Sequence, residues 1–147
     1  MRCATETDTL ALGERIGTRV QPGDLILLSG QLGAGKTVLV RGIATGMGID
    51  PSVVRSPTFV LHHVYRAGPR VLHHIDLYRL GPEADIRLLD VDEMLESGGV
   101  VVVEWGEHSS LLGRVHARLQ FEIEDDGARV ITPSDAPAHL TPAWTPG

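Results

Sequence analysis

The chain has 147 residues, of which 42% are hydrophobic and 22% charged, and its formal net charge is −6. That size and balance fit one globular domain with a core of its own, and no apolar run approaches the roughly 20 residues that span a bilayer. The negative charge excludes a surface that coats nucleic acid unaided, because phosphate binding rests on clustered positive charge.

The opening MRCATETDTL lacks the apolar core of a signal peptide, and a single cysteine, Cys3, excludes an internal disulfide. Both point to a cytoplasmic chain, with Cys3 expected to sit inert in a loose terminus. In TETDTLALGERIGTRV, Leu12, Ile16 and Val20 recur every four residues, with Ala11 beside them. This spacing predicts a helix with one buried stripe, opened by a Thr5–Asp8 capping box. QPGD is a turn. LILLS, Leu25 to Ser29, is an unbroken apolar run of the kind found in strands covered on both faces. KTVLVRGIATGMG then predicts a helix closing at Gly46 or Gly48.

TFVLHHVY and VLHHIDLY flank RAGPR, which predicts a β-hairpin. GPEADIRLLDVDEMLES predicts helix from about Pro82, broken near Val91. GGVVVVEW is a second fully buried strand, and ARLQFEIEDDGARVI a last hairpin turning at DDG. The final PSDAPAHLTPAWTPG holds four of the nine prolines and is expected to be mobile, with Trp144 a tail residue. The expected organisation is therefore one domain over 1–132 and a Pro-rich flexible tail over 133–147. Strands alternating with helices, then hairpins, predict an α/β fold whose sheet mixes parallel and antiparallel strands.

Lys36 is the only lysine beside twelve arginines, and it lies in GQLGAGKT, Gly30 to Thr37. This fits G-x-x-x-x-G-K-S/T. Gly30, Gly33 and Gly35 let such a loop curl until backbone N–H groups point at phosphate oxygens, and the following helix presents its positive end to the same anion. Lys36 places a compact ammonium between the β- and γ-phosphates, where the broad fork of arginine does not fit. Thr37 offers a hydroxyl to Mg²⁺. A strand directly before the loop and a helix directly after it strengthen the match.

Such a loop needs an acid at the end of a neighbouring strand, near the metal and the attacking water. Asp76 ends VLHHID and Glu104 ends GVVVVE. The four valines favour Glu104. The N-K-x-D element of common GTPases is missing, since the chain has no asparagine and no second lysine, so ATP is preferred by elimination. His62–His63 and His73–His74 suggest zinc, but strand neighbours point to opposite faces, and cross-strand polar pairing is the better reading.

GQLGAGKT, then SPTFVLHHVY (Ser56 to Tyr65), HIDLYRL (His74 to Leu80) and VEWGEH (Val103 to His108) follow in series. In this order they resemble the TsaE (YjeE) family of bacterial tRNA threonylcarbamoyladenosine biosynthesis ATPases, and TLALGERI resembles that family's first helix. The likeness covers about Thr9 to Glu107. It implies a P-loop NTPase fold with helices flanking the sheet, MgATP hydrolysis, and partnership with TsaB and TsaD homologues. TsaD performs the transfer to the adenosine beside the anticodon, so tRNA is met through partners, and no membrane is involved. Residue by residue, Gly30, Leu32, Gly33, Ala34, Gly35, Lys36 and Thr37 would cradle the phosphates. Thr37, Glu104 and Asp76 would bind Mg²⁺ directly or through water, and Lys36, Glu104 and Asp76 would carry catalysis. Ser56 and Thr58 would lie on a loop that senses the γ-phosphate, stiffened by Pro57. Tyr78 and Arg79 would position that loop or face a partner, Trp105 would cover the site, and Glu6–Thr9 would approach the adenine. Gln31 stands where the family commonly has Asp, which touches only local hydrogen bonding in the loop.

No arginine finger is evident, although Arg55 and Arg79 flank the right motifs, so turnover is expected to be slow without partners. A small-molecule kinase is the main alternative, with RLGPEADIRLLDVDEMLES as its only spare length for a lid. A nucleotide-gated binding module without significant catalysis is the other.

Overall fold

The structure is a computed structural model that describes residues 1–57, 61–78, 89–105 and 117–145. Seven strands form one mixed sheet, β1 (Arg2–Cys3), β2 (Leu25–Gly30), β3 (His62–Ala67), β4 (Arg70–Asp76), β5 (Val100–Glu104), β6 (Ala117–Ile123) and β7 (Arg129–Ser134), in the order β1-β7-β6-β2-β5-β4-β3. β2 runs parallel to β5 and β6, and β4 parallel to β5. The two expected hairpins, β3–β4 and β6–β7, are antiparallel. Gly68, with φ +57, leads the two-residue turn of the first, a conformation that favours glycine.

The central strands are apolar on both faces because both faces are covered. On β2, Ile26 and Leu28 join the core beneath α1 (Glu6–Gly17) and α2 (Lys36–Gly46). Leu25 and Leu27 join a second core with Val91 and Met94 of α3 (Val91–Glu96). All five residues of β5 are buried. α1 opens with the expected capping box, Asp8 N–H donating to Thr5 Oγ1 at 3.2 Å and Thr5 N–H to Asp8 Oδ2 at 2.9 Å. Its Leu12 and Ile16 are fully buried, with Val20 close behind, while Ala11 is exposed. Asp90, at φ +53, directly precedes α3, which starts at Val91. The stretch expected to be helical from Pro82 lies outside the described residues as far as position 88.

Both termini differ from expectation. Cys3 is 1% exposed within β1, which pairs with β7 through Arg2↔Val130 and Cys3↔Arg129. β7 itself runs on to Ser134, and the proline-rich segment after it returns to the core. Leu140 and Ala143 are fully buried, and Trp144 packs against the same cluster. His139 Nε2 lies 2.7 Å from Asp24 Oδ2, and Arg15 Nε donates to the Ala143 carbonyl at 3.0 Å. Pro137 supports this arrangement, since its carbonyl accepts from the N–H groups of Leu140 and Thr141. Proline content therefore marks turns here rather than disorder.

The four histidines divide as strand periodicity requires. His62 Nε2 and His73 Nδ1 are 2.9 Å apart with their rings stacked, while His63 Nδ1 lies 2.9 Å from the Tyr65 hydroxyl. Burial, then the charges of His62 and Arg66, push His73 from an ordinary 6.5 down to about 4. An unfolded chain therefore takes up this proton before the folded one does. The stability that the neutral imidazole contributes is complete above about pH 6.5 and is lost as pH falls toward 4. Thermal melts from pH 7 to 4.5 are expected to show a loss on the order of 1–3 kcal/mol that is smaller in His73→Leu. Equal slopes in the two proteins would remove His73 from the account.

Candidate functional site

The three parallel strands β2, β5 and β4 end on one edge of the sheet, and register places their C-terminal parts side by side. Leu28 is opposite Glu104, and Asp76 is opposite Glu104. Open α/β sheets bind ligands beyond the carboxyl ends of such strands. Here the Gly30–Thr37 loop leaves β2 and enters α2 at Lys36.

Two glycines are needed for the path of this loop. A Cβ on Gly30 would lie 2.6 Å from the Phe121 carbonyl oxygen on neighbouring β6, and its φ is +141. Gly35, at φ +94, is the N-cap of α2 in the left-handed region, which costs a residue with a side chain about 1–2 kcal/mol. A Cβ at Gly33 would meet nothing within 4 Å, although its φ of +79 is again in the left-handed region. Lys36 folds back over the loop, and Nζ donates to the carbonyls of Gly30 at 2.7 Å and Gln31 at 2.9 Å.

Around this loop lies a cleft of about 300 Å³, lined by Leu32, Gly33, Ala34, Gly35, Lys36 and Thr37 together with Ser56, Asp76, Glu104 and Trp105. The structure thus gathers both strand-end acids and does not choose between them. Each is 2% exposed. Thr37 Oγ1 donates to Glu104 Oε1 at 3.2 Å, and Tyr78 N–H donates to Asp76 Oδ1 at 2.8 Å. Burial works to raise Glu104, but the neighbouring His74 imidazole, then Asp76 and Lys36, outweigh it and hold the carboxyl below its usual range. Glu104 is therefore an anion at neutral pH. Trp105 follows it at φ +64, with its N–H donating to the Leu28 carbonyl at 3.1 Å. The indole centroid lies 3.8 Å from Lys36 Nζ, a cation–π distance, and Tyr78 packs on the indole at 5.1 Å. Trp105 thus lies over the Lys36 ammonium.

Ser56 reaches the cleft on a segment tied to the sheet just before it. The Tyr65 hydroxyl accepts from Arg55 N–H at 3.1 Å and donates to Arg55 O at 3.3 Å. Thr58 and Arg79 lie outside the described residues. One cleft residue carries no local signal in the sequence. Arg129, at the start of β7, donates to the Gly33 carbonyl at 3.1 Å. It lines the cleft and an adjoining cavity of about 140 Å³, where Thr5, Glu6, Thr9, Gly35 and Val38 also sit.

The profile of the family described as "Threonylcarbamoyl adenosine biosynthesis protein TsaE" matches residues 3–131. The chain belongs to the TsaE family. Its role is accordingly in biosynthesis of the threonylcarbamoyladenosine modification of tRNA. Among relatives named tRNA threonylcarbamoyladenosine biosynthesis protein TsaE, that of Mycobacterium leprae is 46% identical over 113 residues, covering 71% of this chain and 69% of its own. The Mycobacterium tuberculosis TsaE is 47% identical over 68% of this chain, and the chain spans 64% of that relative's length. The Treponema pallidum TsaE is 38% identical over 90% of this chain and 98% of its own. The crystal structure of Bacillus subtilis YdiB superposes with a TM-score of 0.73 at 28% identity, covering 97% of this chain and 88% of that one.

Proposed function

We propose that this chain is a P-loop NTPase that binds MgATP and hydrolyses it as the accessory ATPase of threonylcarbamoyladenosine formation, acting with TsaD and TsaB homologues. The observation that carries this reading is the meeting, in one cleft, of the Lys36–Thr37 loop with Asp76 and Glu104 on adjacent strand ends. Backbone N–H groups from Gly30 through Thr37 cradle the phosphates, and the N-terminal end of α2 favours their charge. Lys36 holds the β- and γ-phosphoryl oxygens. The cavity beside Gly35 and Val38 takes the nucleoside end, with Glu6, Thr9 and Arg129 around it.

The residues fit a magnesium ion. A hydroxyl and two carboxyls are hard oxygen donors, and Thr37 Oγ1 already lies 3.2 Å from Glu104 Oε1. Magnesium held by Thr37, Glu104 and Asp76, directly or through water, supplies neutralisation of phosphate charge. The Glu104 carboxylate, with Asp76 beside it, orients the attacking water in line. Contact with tRNA comes through TsaD and TsaB, in keeping with a net charge of −6.

The test is phosphate release from MgATP by the wild type and by Glu104→Gln, each alone and with TsaB and TsaD homologues. The wild type is expected to be slow alone and faster with partners, and Glu104→Gln to lose about 10²-fold or more in both settings. Bound ATP with no phosphate released under any condition sinks the hydrolysis claim. Phosphate appearing on a small-molecule acceptor instead makes the chain a kinase, and binding without either reaction makes it a nucleotide-gated module.

A further inference from the structure

His74 is fully buried on β4, two residues before Asp76 and on the same face of the strand. Its Nε2 lies 3.5 Å from Glu104 Oε2, an ion-pair separation just beyond hydrogen-bond length. Neither ring nitrogen has a hydrogen-bond partner among the described residues. A buried imidazole without a hydrogen bond is costly, so its place calls for an explanation other than packing.

The other Glu104 oxygen supplies one. Thr37, from the glycine-rich loop, donates to Oε1, while His74 faces Oε2. A glutamate has one more rotatable bond than an aspartate, and Lys36 also attracts this one. Without His74 the carboxylate keeps Thr37 and Asp76 but loses its partner at Oε2, and is freer to swing toward the ammonium. Carboxylates at metal sites are commonly steered by such an outer partner, and contacts of this kind are often long until substrate is bound.

We infer that His74 is a positioning residue, whose Nε2–H holds Glu104 Oε2 and so presents Oε1 to Thr37 and the reacting phosphate. The assignment rests on the hydrolytic reading of Glu104 given above. It requires the tautomer with a proton on Nε2.

The test compares kcat and KM for MgATP in wild type, His74→Leu, His74→Gln and His74→Asn. Leucine keeps the volume and removes the donor. Glutamine carries its amide nitrogen near the place of Nε2, and asparagine near that of Nδ1. His74→Leu is expected to lose about 10–100-fold in kcat with KM within about 2-fold, because the phosphate cradle is untouched. His74→Gln should recover most of the loss and His74→Asn should not. Imidazole ¹⁵N NMR on the protein without metal or nucleotide should show a protonated His74 Nε2 whose resonance moves in Glu104→Gln. Unchanged kcat in His74→Leu overturns the inference, as does equal failure of the Gln and Leu variants or an unprotonated Nε2. A wild type that binds ATP and never releases phosphate defeats only the hydrolytic reading, and the NMR comparison then decides the His74–Glu104 contact by itself.

Discussion

Lys36→Arg is expected to cut phosphate release from MgATP by about 10²-fold or more, the usual cost of losing one preorganised donor at developing charge. Its melting temperature should stay within a few degrees of wild type. The substitution keeps the charge, so the effect comes from shape. Lys36 is 5% exposed in the first turn of α2, and its ammonium occupies a slot between two loop carbonyls and an indole. The carbonyls of Gly30 and Gln31 are 2.7 and 2.9 Å from Nζ, and the Trp105 centroid is 3.8 Å away. An ammonium is compact and presents three donors on one atom, whereas guanidinium is a flat fork with donors on three atoms. To fit, the fork must displace Trp105, itself held at φ +64 and packed by Tyr78, or push the loop off its path. Either movement carries the charge away from the phosphoryl group. The loop's remaining N–H groups and the helix end stay in place, so ATP should bind more weakly yet still bind. Titration of nucleotide by intrinsic tryptophan fluorescence, run beside the phosphate assay, separates the two losses. A Lys36→Arg protein that hydrolyses ATP normally would show that charge alone is required. The single lysine among twelve arginines would then lose its explanation.

Much of the site was legible because its signals are local. The Gly30–Thr37 motif fixes a loop between a strand and a helix. The valines of 100–103 place Glu104 at the end of a buried strand, and strand periodicity separates the rings of His62 and His73 from those of His63 and His74. What the sequence leaves open depends on partners distant in the chain. Arg129 is one arginine among twelve until β7 pairs with β6 and brings it to Gly33. β1 is two residues long, and only its pairing with β7 draws Cys3 into the core. The proline-rich end looks solvated because its two deepest contacts, Leu140 and Ala143, are spaced among polar and turn residues. Asp76 and Glu104 compete when read as separate strand ends. Register places them opposite each other and leaves both at the cleft.

The glycines of α1 and α2 show how a partner changes the meaning of a residue. Read singly, Gly42 lies inside a helix, where Gly→Ala normally stabilises by about 1 kcal/mol. In the fold it faces α1, and a Cβ there would sit 2.3 Å from the Leu10 carbonyl oxygen and 2.8 Å from the Gly13 Cα. Gly13, Gly17 and Gly46 meet backbone just as closely from their own sides. Two helices therefore touch main chain to main chain through glycines spaced four apart on each. These contacts cannot yield by turning a side chain, so the helices must separate and the apolar core beneath them must open. Gly42→Ala is accordingly expected to destabilise by about 2–3 kcal/mol, a fall of about 8 °C in a domain of this size. Thr45→Ala, on the exposed side of the same helix, removes only a bond to the Arg41 carbonyl and should leave the melt unchanged or slightly higher. The effect should also reach the cleft, because α2 begins at Lys36 and carries Thr37 to Glu104. Tilting α2 away from α1 shifts both residues against strand ends that stay fixed, so ATP affinity should fall in Gly42→Ala and hold in Thr45→Ala. A higher melting temperature for Gly42→Ala would mean that helix propensity outweighs the contact, and that the spacing between α1 and α2 is not set by these glycines.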